Sequence, residues 1–244
     1  MMRWLLLMAL GTAAPLLAAP QDSLLGVTLV GDKGGQTLGV PMQIVILLTL
    51  LTMLPAILMS LTPFLRIIVV LHFLRQALGT QTTPSNQVMA GLALFLALVV
   101  CGPVAEQVYH QGWEPLESGQ ISATQAWEQA SGPIKTFLLR FAREKDIRLF
   151  LELSHAPSPA KPTEVPISVL APAYVLSELK ASFQIGAVLF LPFLVIDLVV
   201  SSITLSVGMV QLPPVMVSAP FKILLFVLVD GWNLVIGSLV RSFN

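Results

Sequence analysis

Charged residues are scarce in this sequence. Of its 244 residues only 11% are Asp, Glu, Lys or Arg, whereas 55% are hydrophobic, and the mean hydropathy is +0.84. An ordinary soluble domain carries about a quarter charged residues, so the composition predicts a membrane protein in contact with lipid. The 13 basic and 13 acidic side chains cancel. With no net field to attract a polyanion, the composition predicts no nucleic-acid partner.

Cysteine and histidine are also rare. The single cysteine, Cys101, can form neither a disulfide within the chain nor a cysteine metal cluster, and it is typical of a small buried apolar side chain. The three histidines, His72, His110 and His155, are far apart, and none has a second ligand at helical spacing. We therefore expect no metal and no cofactor.

Catalytic motifs are missing as well. The sequence contains no GxSxG, Walker or HExxH pattern. Ser177 and Lys180 lie three residues apart, but no oxyanion donors can be identified beside them, so a serine–lysine hydrolase is a weak alternative. The sequence predicts that the protein is not an enzyme.

The N-terminus has the layout of a secretory signal peptide. A basic residue, Arg3, precedes a leucine-rich core at residues 4–10, and small residues follow up to Ala19. We expect a signal peptide at residues 1–19 and a periplasmic segment at residues 20–41. An uncleaved membrane anchor is the alternative, because Leu17 stands where a small residue usually precedes the cleavage site.

Four long apolar runs follow, at residues 42–61, 88–104, 185–210 and 215–240. About twenty apolar residues suffice for a helix to cross a hydrocarbon core near 30 Å thick. The runs predict an all-α fold of two hydrophobic hairpins, 42–104 and 167–244, bent by proline and glycine. Arg66 and Arg75 near the first turn indicate its cytoplasmic location, so residues 105–166 are expected in the periplasm.

The periplasmic region 105–166 has two parts. From residue 124 to residue 153, apolar side chains recur at three- and four-residue steps, which predicts one amphipathic helix. Four prolines then predict an extended linker up to residue 166. The apolar stripe of the helix includes Trp127, Ala130, Ile134, Phe137, Leu138 and Phe141.

Ionisable residues interrupt the apolar runs. Each costs about 2.5 to 3.5 kcal/mol at the middle of a membrane helix, so these residues are expected to face protein or water. These residues could form ion pairs that hold helices together, or they could form a pathway for transported ions. Because prolines also break these segments, we expect an assembled body of several subunits. The residues are Arg66, Glu178, Lys180, Asp197, Lys222 and Asp230.

The turn of the second hairpin, GMVQLPP at residues 208–214, is apolar although a cytoplasmic turn is normally polar. An exposed apolar loop tends to contact another surface. A turn that dips into lipid head groups is the alternative.

Two long strings identify a relationship. They are TPFLRIIVVLHFLRQALGTQTTPSNQV at residues 62–88 and SELKASFQIGAVLFLPFLVIDLVVSSITLSVGMVQLPPVMVSAPFKILLFVLVDGW at residues 177–232. Both closely resemble the FliP/SctR family of type III secretion export-gate subunits. The resemblance implies that the chain is a core subunit of the flagellar export gate, located in the bacterial inner membrane and the flagellar basal body. Unfolded flagellar proteins are expected to pass through this gate.

The resemblance also implies partners and site residues. Five copies are expected to assemble with FliQ and FliR, next to the export components FlhA and FlhB, with FliO as an assembly factor. The loop residues Met209, Val210 and Leu212 are expected to form an apolar gasket in the channel, where methionine repacks around varied chains. Expected subunit contacts involve Arg143, Glu178, Asp197, Lys222, Phe137 and Phe150.

Two other functions remain open. A virulence-type (injectisome) export subunit of the same family is the nearest alternative, although the signal peptide favours the flagellar branch. A small secondary transporter would use Asp197, Lys222 and Asp230 as a substrate or proton site. No inverted repeat relates the two halves of the sequence, which disfavours the transporter.

Overall fold

The computed structural model describes residues 40–80, 82–155, 159, 161–208 and 213–243. The predicted signal peptide, most of the segment 20–41 and the predicted gasket residues lie outside these ranges. The chain divides into two compact units at residues 53 and 54. The described part of the first unit is the beginning of one helix, and the second unit contains the rest of that helix and all the other elements.

All regular elements in the described ranges are helical, which confirms the predicted all-α class. A π-helical turn at Tyr109–Trp113 continues α3, and a 3-10 turn at Pro162–Glu164 precedes α7. The helices are α1 Val40–Leu61, α2 Phe64–Ala77, α3 Asn86–Val108, α4 Glu114–Glu117, α5 Ala123–Phe141, α6 Glu144–Leu153, α7 Ile167–Ser206, α8 Pro214–Leu228 and α9 Gly231–Arg241.

The predicted membrane segments correspond to long apolar helices. Three stretches are long and apolar enough to cross a membrane: Ile44–Leu61, Asn86–Glu117 and Ile167–Ser206. The pair α8 and α9 gives a fourth if its two bent parts form one span. At 1.5 Å per residue, the 40 residues of α7 extend over about 60 Å. This is about twice the thickness of a hydrocarbon core, so α7 must project beyond any bilayer that it enters.

The prediction of one continuous amphipathic helix at residues 124–153 is wrong in its continuity. The backbone becomes extended at Ala142 and Arg143, with ψ of 128° and 138°, and this separates α5 from α6. The freed N–H of Arg143 donates to Ser177 Oγ at 2.8 Å. A hydrogen bond from the Arg143 backbone to α7 therefore takes the place of a hydrogen bond within a helix. The periodicity of the side chains alone does not reveal this break.

The fourth predicted segment is also interrupted, between α8 and α9, which meet at an angle of 66°. Asp230 adopts a left-handed conformation with φ of 50°. Gly231 packs directly on Phe226, since a Cβ at this position would lie 2.2 Å from the phenyl ring. In contrast, α8 continues without interruption through Pro220. Local backbone geometry at Asp230 and Gly231 therefore makes the bend.

The long helix α7 is the element against which the others pack. Three helices, α2, α5 and α6, pack on the first half of α7, and α3 packs on the other side of α2. The helix α8 folds back along the second half of α7. Buried side chains fill three clusters along it: Ile67, Val70, Leu71, Met89, Ala93, Ala97, Leu239 and Phe243; Leu138, Leu151, Val165, Val169, Leu170 and Tyr174; and Leu74, Ala77, Leu78, Phe193 and Phe226.

Close packing of α2 on α7 depends on Gly186. A Cβ built at this glycine would lie 2.5 Å from the Phe73 ring, which is fixed by edge contacts with Phe183 and Phe190. We predict that Gly186→Ala lowers the free energy of unfolding in detergent by about 1 to 3 kcal/mol, because overpacking forces side chains and backbone apart.

The matched control is Gly91→Ala in α3, where a Cβ meets nothing within 4 Å. This change is expected to stabilise the protein by up to about 1 kcal/mol, because alanine is the better helix former. Equal effects of the two substitutions on the unfolding free energy would contradict the packing role of Gly186.

Candidate functional site

The ionisable side chains of α7 form three clusters with neighbouring helices. We name them by their first members: the Arg66 cluster (Arg66, Glu178, Ser242), the Asp146 cluster (Asp146, Ser177, Lys180) and the Asp197 cluster (Asp197, Ser218, Lys222). Together they contain five of the six ionisable residues that the sequence placed in or beside apolar runs. The sixth, Asp230, is exposed and accepts a hydrogen bond from Asn233 at 3.2 Å.

The Arg66 cluster joins α2 to the first half of α7. Arg66 Nε donates to Glu178 Oε2 at 2.7 Å, and Nη2 donates to Oε1 at 2.5 Å. Both residues are buried, and Glu178 is 0% exposed. The planar guanidinium matches the two carboxylate oxygens, so the charges are compensated with defined geometry. The cluster therefore fixes the position of α2 along α7.

The end of the chain covers this pair. Arg66 Nη1 donates to Ser242 Oγ at 3.0 Å. The ring centroid of Phe243 lies 3.9 Å from the guanidinium carbon, and that of Phe141 lies 5.5 Å from it. Aromatic faces attract a cation and exclude water from it. The C-terminal residues thus take part in the desolvation of the Arg66–Glu178 pair.

The Asp146 cluster joins α6 to α7. Asp146 is buried and accepts hydrogen bonds from Lys180 Nζ and from Ser177 Oγ, the latter at 2.8 Å. Burial alone would raise the pKa of the Asp146 carboxyl. The hydrogen bonds from Lys180 and Ser177, together with the charges of Lys180 and Arg143, outweigh burial and hold this pKa below its ordinary value of 3.8. Asp146 is therefore ionised at neutral pH.

The same geometry argues against a serine–lysine hydrolase. Ser177 is 1% exposed, and its hydroxyl is engaged by Asp146 and by the N–H of Arg143. Lys180 directs its ammonium group to Asp146. An activated serine needs access to substrate and a neighbouring base. Ser177 is closed off from substrate, and the lysine that would have to serve as its base is held by Asp146 instead.

The Asp197 cluster joins α7 to α8. Asp197 Oδ2 accepts from Lys222 Nζ at 2.6 Å, and Oδ1 accepts from Ser218 Oγ at 2.5 Å. Ser218 and Lys222 are both buried, and they lie four residues apart on one face of α8. A lysine in an apolar helix is thus neutralised by a carboxylate of the same chain.

The structure distributes the predicted site residues among these clusters. Arg143 is exposed, and its Nη2 donates to Gln184 Oε1 at 2.7 Å. Phe137 packs between Phe141 and Tyr174, at centroid distances of 5.1 and 6.1 Å, and Phe150 packs in the same apolar cluster. Glu178, Asp197 and Lys222 have partners within the chain. Their predicted contacts with neighbouring subunits stay predictions.

Sequence reasoning missed several members of the clusters. Ser218 could have been found, because its four-residue spacing from Lys222 puts both on one helical face. Asp146, Ser242 and Phe243 carried no such signal. Each meets a partner more than 30 positions away, and only the fold brings these segments together.

No cofactor or metal site is evident in the described ranges. Within them, no group of three or more His, Cys, Asp or Glu side chains converges as metal ligands would. The carboxylates that are buried already face a guanidinium or an ammonium group. Chemically, the clusters are suited to holding helices together.

Comparison with known proteins assigns the family. The FliP family model matches residues 47–239. The chain belongs to the FliP family. The flagellar biosynthetic protein FliP of Pectobacterium carotovorum subsp. carotovorum is 50% identical over 211 residues, which are 86% of this chain and 82% of that protein. FliP of Bacillus subtilis (strain 168) is 45% identical over 201 residues, 82% of this chain and 91% of that protein.

Membership fixes the class of function. The relatives carry flagellar names and match along most of their length, and the FliP family is a structural component of the export gate. The chain is therefore a multi-pass inner-membrane protein of the flagellar basal body and part of the flagellar export apparatus. The injectisome and transporter alternatives are not favoured.

The Arg66 cluster yields a stability prediction. Glu178→Gln leaves the Arg66 charge buried without a counter-ion, and breaking a buried pair in this way costs about 3 to 5 kcal/mol. We therefore expect Glu178→Gln to lower the free energy of unfolding in detergent by this amount. The double change Arg66→Met with Glu178→Met should recover most of it, because no buried charge remains.

The control is Glu144→Gln, which removes one partner of the exposed Glu144–Arg148 pair in α6. Exposed pairs contribute at most about 1 kcal/mol, so only a small change is expected. A loss no larger for Glu178→Gln than for Glu144→Gln would refute the structural role of the Arg66 cluster.

The Asp146 cluster yields a pH prediction. Because the pKa of Asp146 is lower in the folded than in the unfolded protein, its ionised form stabilises the fold above the unfolded pKa of about 3.9. This contribution is lost as the pH falls through the folded pKa. We expect wild type to be more stable than Asp146→Asn at neutral pH, with the difference shrinking below about pH 4.

The measurement is the free energy of unfolding of both proteins as a function of pH. The other carboxyl groups contribute equally to both proteins, so their contributions cancel in the difference. A difference between wild type and Asp146→Asn that stays constant down to pH values below the folded pKa would argue against the depressed pKa.

Proposed function

We propose that this chain is a non-enzymatic wall subunit of the flagellar export channel. Several copies, five by family resemblance, surround an axial pore together with FliQ and FliR. FlhA and FlhB are the neighbouring export components, and FliO assists assembly. Unfolded flagellar proteins pass through the pore. The observation that carries the proposal is the single helix α7, which is longer than a bilayer is thick and whose charges are compensated within the chain.

The length of α7 favours a body that rises above the membrane. Its 40 residues span about 60 Å, and only about half of that length fits in a hydrocarbon core. The second half of α7 is apolar on its outer face, where Val188, Leu191 and Leu198 are exposed. Since water is a poor environment for such a face, other subunits are its natural cover.

The exposed surface supports cover by other chains. Large apolar side chains point outward from α3, α7 and α8, and several are more than half exposed. Patches of this extent mark contact with protein or lipid. Examples are Phe95 at 70%, Val188 at 67%, Leu198 at 60%, Met216 at 74% and Leu228 at 73% exposure.

Closed ion pairs disfavour the transporter alternative. Asp197 and Lys222, which would form its substrate or proton site, hold one another at 2.6 Å. Glu178 is likewise held by Arg66 at 2.5 Å. A transport site needs a group that exchanges partners during the cycle. These pairs instead fit the interpretation that the ionisable residues bind helix to helix.

The gasket role of Met209, Val210 and Leu212 rests on their position. They lie in the short connection after α7, which ends at Ser206, and before α8, which begins at Pro214. Exposed apolar residues flank them on both sides, with Val207 at 70% exposure. Several copies of such a loop around one axis form an apolar constriction, which blocks ions while the channel is empty.

Contacts between subunits are proposed for Arg143, Phe137 and Phe150. Arg143 is exposed and keeps donors free beyond its bond to Gln184, whereas the two phenylalanines are half-buried on α5 and α6. Glu178, Asp197 and Lys222 act on a neighbouring subunit through the helices whose positions they fix. All six residues thus contribute to assembly, three of them through direct contacts with a neighbouring subunit and three through the positions of the helices.

The experiment uses a strain that lacks the chromosomal gene and carries wild-type or variant protein on a plasmid. Without the gene we expect no filaments and no motility. The triple change Met209→Gly, Val210→Gly and Leu212→Gly should leave the complex assembled but make the resting membrane permeable to small ions, because the apolar seal is lost. Membrane permeability, motility and the mass of the purified complex are measured.

The matched control replaces the same three positions with leucine, which keeps the loop apolar. A tight membrane is expected for this variant. If the glycine variant assembles and the membrane stays tight, the loop is not a gasket. Motility of the deletion strain would overturn the export function itself.

A further inference from the structure

We propose that a groove between α7 and α9 holds one acyl chain of a membrane phospholipid, and that the guanidinium group of Arg143 holds the phosphate of the same lipid. This lipid site belongs to the single chain and does not depend on the role of the chain in export. The lining of the groove, the change in polarity along α7 and the charge of Arg143 each support it.

The groove lies where α9 runs beside α7. Trp232, near the start of α9, contacts Phe226, which in turn contacts Phe193 of α7. Just after the other end of α9, Ser242 accepts a hydrogen bond from Arg66. The space between the two helices has a volume of about 550 Å³. Sites for small ligands typically have volumes of about 300 to 1,000 Å³, so the groove is large enough for a ligand.

The walls of the groove are apolar. Apart from Gln184, Ser238 and Ser242, all its lining residues are apolar. Val188 on the α7 wall and Leu234 on the α9 wall are both exposed. Exposed apolar walls favour an apolar ligand, and a flexible chain of methylene groups can follow a narrow groove.

The polarity of α7 changes at one end of this groove. The apolar run at residues 185–210 begins directly after Gln184. The part of α7 that follows Gln184 ends at Ser206 and is about 33 Å long at 1.5 Å per residue, close to the thickness of a hydrocarbon core. Its charged residue, Asp197, is paired with Lys222. With this part in the hydrocarbon core of the membrane, Gln184 lies at the depth of the lipid head groups.

Arg143 supplies a positive charge at the same depth. Its Nη2 donates to Gln184 Oε1 at 2.7 Å, which places the guanidinium group at the polar end of the groove. The side chain of Arg143 is exposed. The neighbouring carboxylate of Asp146 already accepts hydrogen bonds from Lys180 and Ser177. Arg143 can therefore bind a further anion, and its planar fork of donors matches a phosphate.

These features have the order that a phospholipid requires. The cation lies at head-group depth, and the groove extends from Gln184 toward Pro192, about 12 Å further into the hydrocarbon core. A lipid brings its phosphate to this depth in any case, whereas a protein helix in the groove would have to carry a carboxylate there. A phosphate bound through two donors leaves Arg143 others for the subunit contact proposed above.

Photolabelling tests the site in the complex purified from the cell membrane. The complex is reconstituted into phosphatidylcholine vesicles that contain a trace of phosphatidylglycerol with a diazirine on one acyl chain. After irradiation, labelled residues are identified by mass spectrometry. We expect labelling near Val188 and Leu234 to exceed labelling near Leu198, an exposed residue outside the groove, several-fold.

A diacylglycerol with the same diazirine chain is the control for the phosphate. It carries the acyl chain but offers Arg143 no anion, so we expect several-fold less labelling of the groove. Arg143→Gln should lower labelling by the phospholipid to the level of the diacylglycerol. The matched variant is Arg148→Gln, an exposed arginine on the same helix whose partner is Glu144, and it should label as wild type does. If Arg143→Gln fails to assemble, the two probes applied to the wild-type complex decide the role of the phosphate.

A second pair of variants tests the groove itself. Val188→Trp fills the groove with an indole ring, whereas Leu194→Trp places the same ring on an exposed part of α7 outside the groove. Labelling near Leu234 should fall several-fold in Val188→Trp and stay unchanged in Leu194→Trp. Equal labelling of these two variants would overturn the proposal.

Two further results would also refute the lipid site. One is equal labelling of the groove and of the surroundings of Leu198. The other is a groove shielded from the probe by a protein helix, seen as a cross-link between the groove and another chain. The motility of the deletion strain reports on the export function separately, so failure of lipid binding and failure of export are distinguishable.

Discussion

Charge compensation inside an apolar helix bundle is the constraint on which this structure depends. The Arg66–Glu178 pair is buried between α2 and α7, with its oxygens and nitrogens matched at 2.5 and 2.7 Å. Uncompensated, either charge would be strongly destabilising in these surroundings. Because the pair is satisfied within one chain, each subunit can carry its charges into lipid or into an assembly as a neutral body. The apolar faces are then free to meet other chains.

The other two clusters extend the same principle along α7, and their environments suit different tasks. Asp146 pairs with Lys180, whose side chain is 46% exposed, so this tie lies at the edge of the bundle where water reaches it. Asp197 pairs with Lys222, whose side chain is 3% exposed, in the contact between α7 and α8. The first secures α6 on α7, and the second secures α8 on α7. A single helix thereby connects both ends of the subunit.

Much of this fold could be predicted from the sequence, because long apolar runs require helices. The all-α class and the long apolar segments followed directly. The break at Ala142 and Arg143 could not be predicted, since it depends on a hydrogen bond to Ser177 on a distant segment. The bend at Asp230 was not predicted either, although it depends on residues close in sequence: the left-handed Asp230 and the contact of Gly231 with Phe226. The partner of Glu178 was beyond sequence reasoning too, since Arg66 is 112 positions away.

Ionic and apolar contacts occupy different parts of this chain. Ionic contacts are directional and fail abruptly when partners separate, whereas apolar contacts can slide with small changes in energy. In this chain the ionic contacts lie within the subunit and the exposed surface is mainly apolar. Such a surface can be covered by other chains or by lipid without breaking an ion pair. Within the chain, the ion pairs hold α2, α6 and α8 at defined positions along α7.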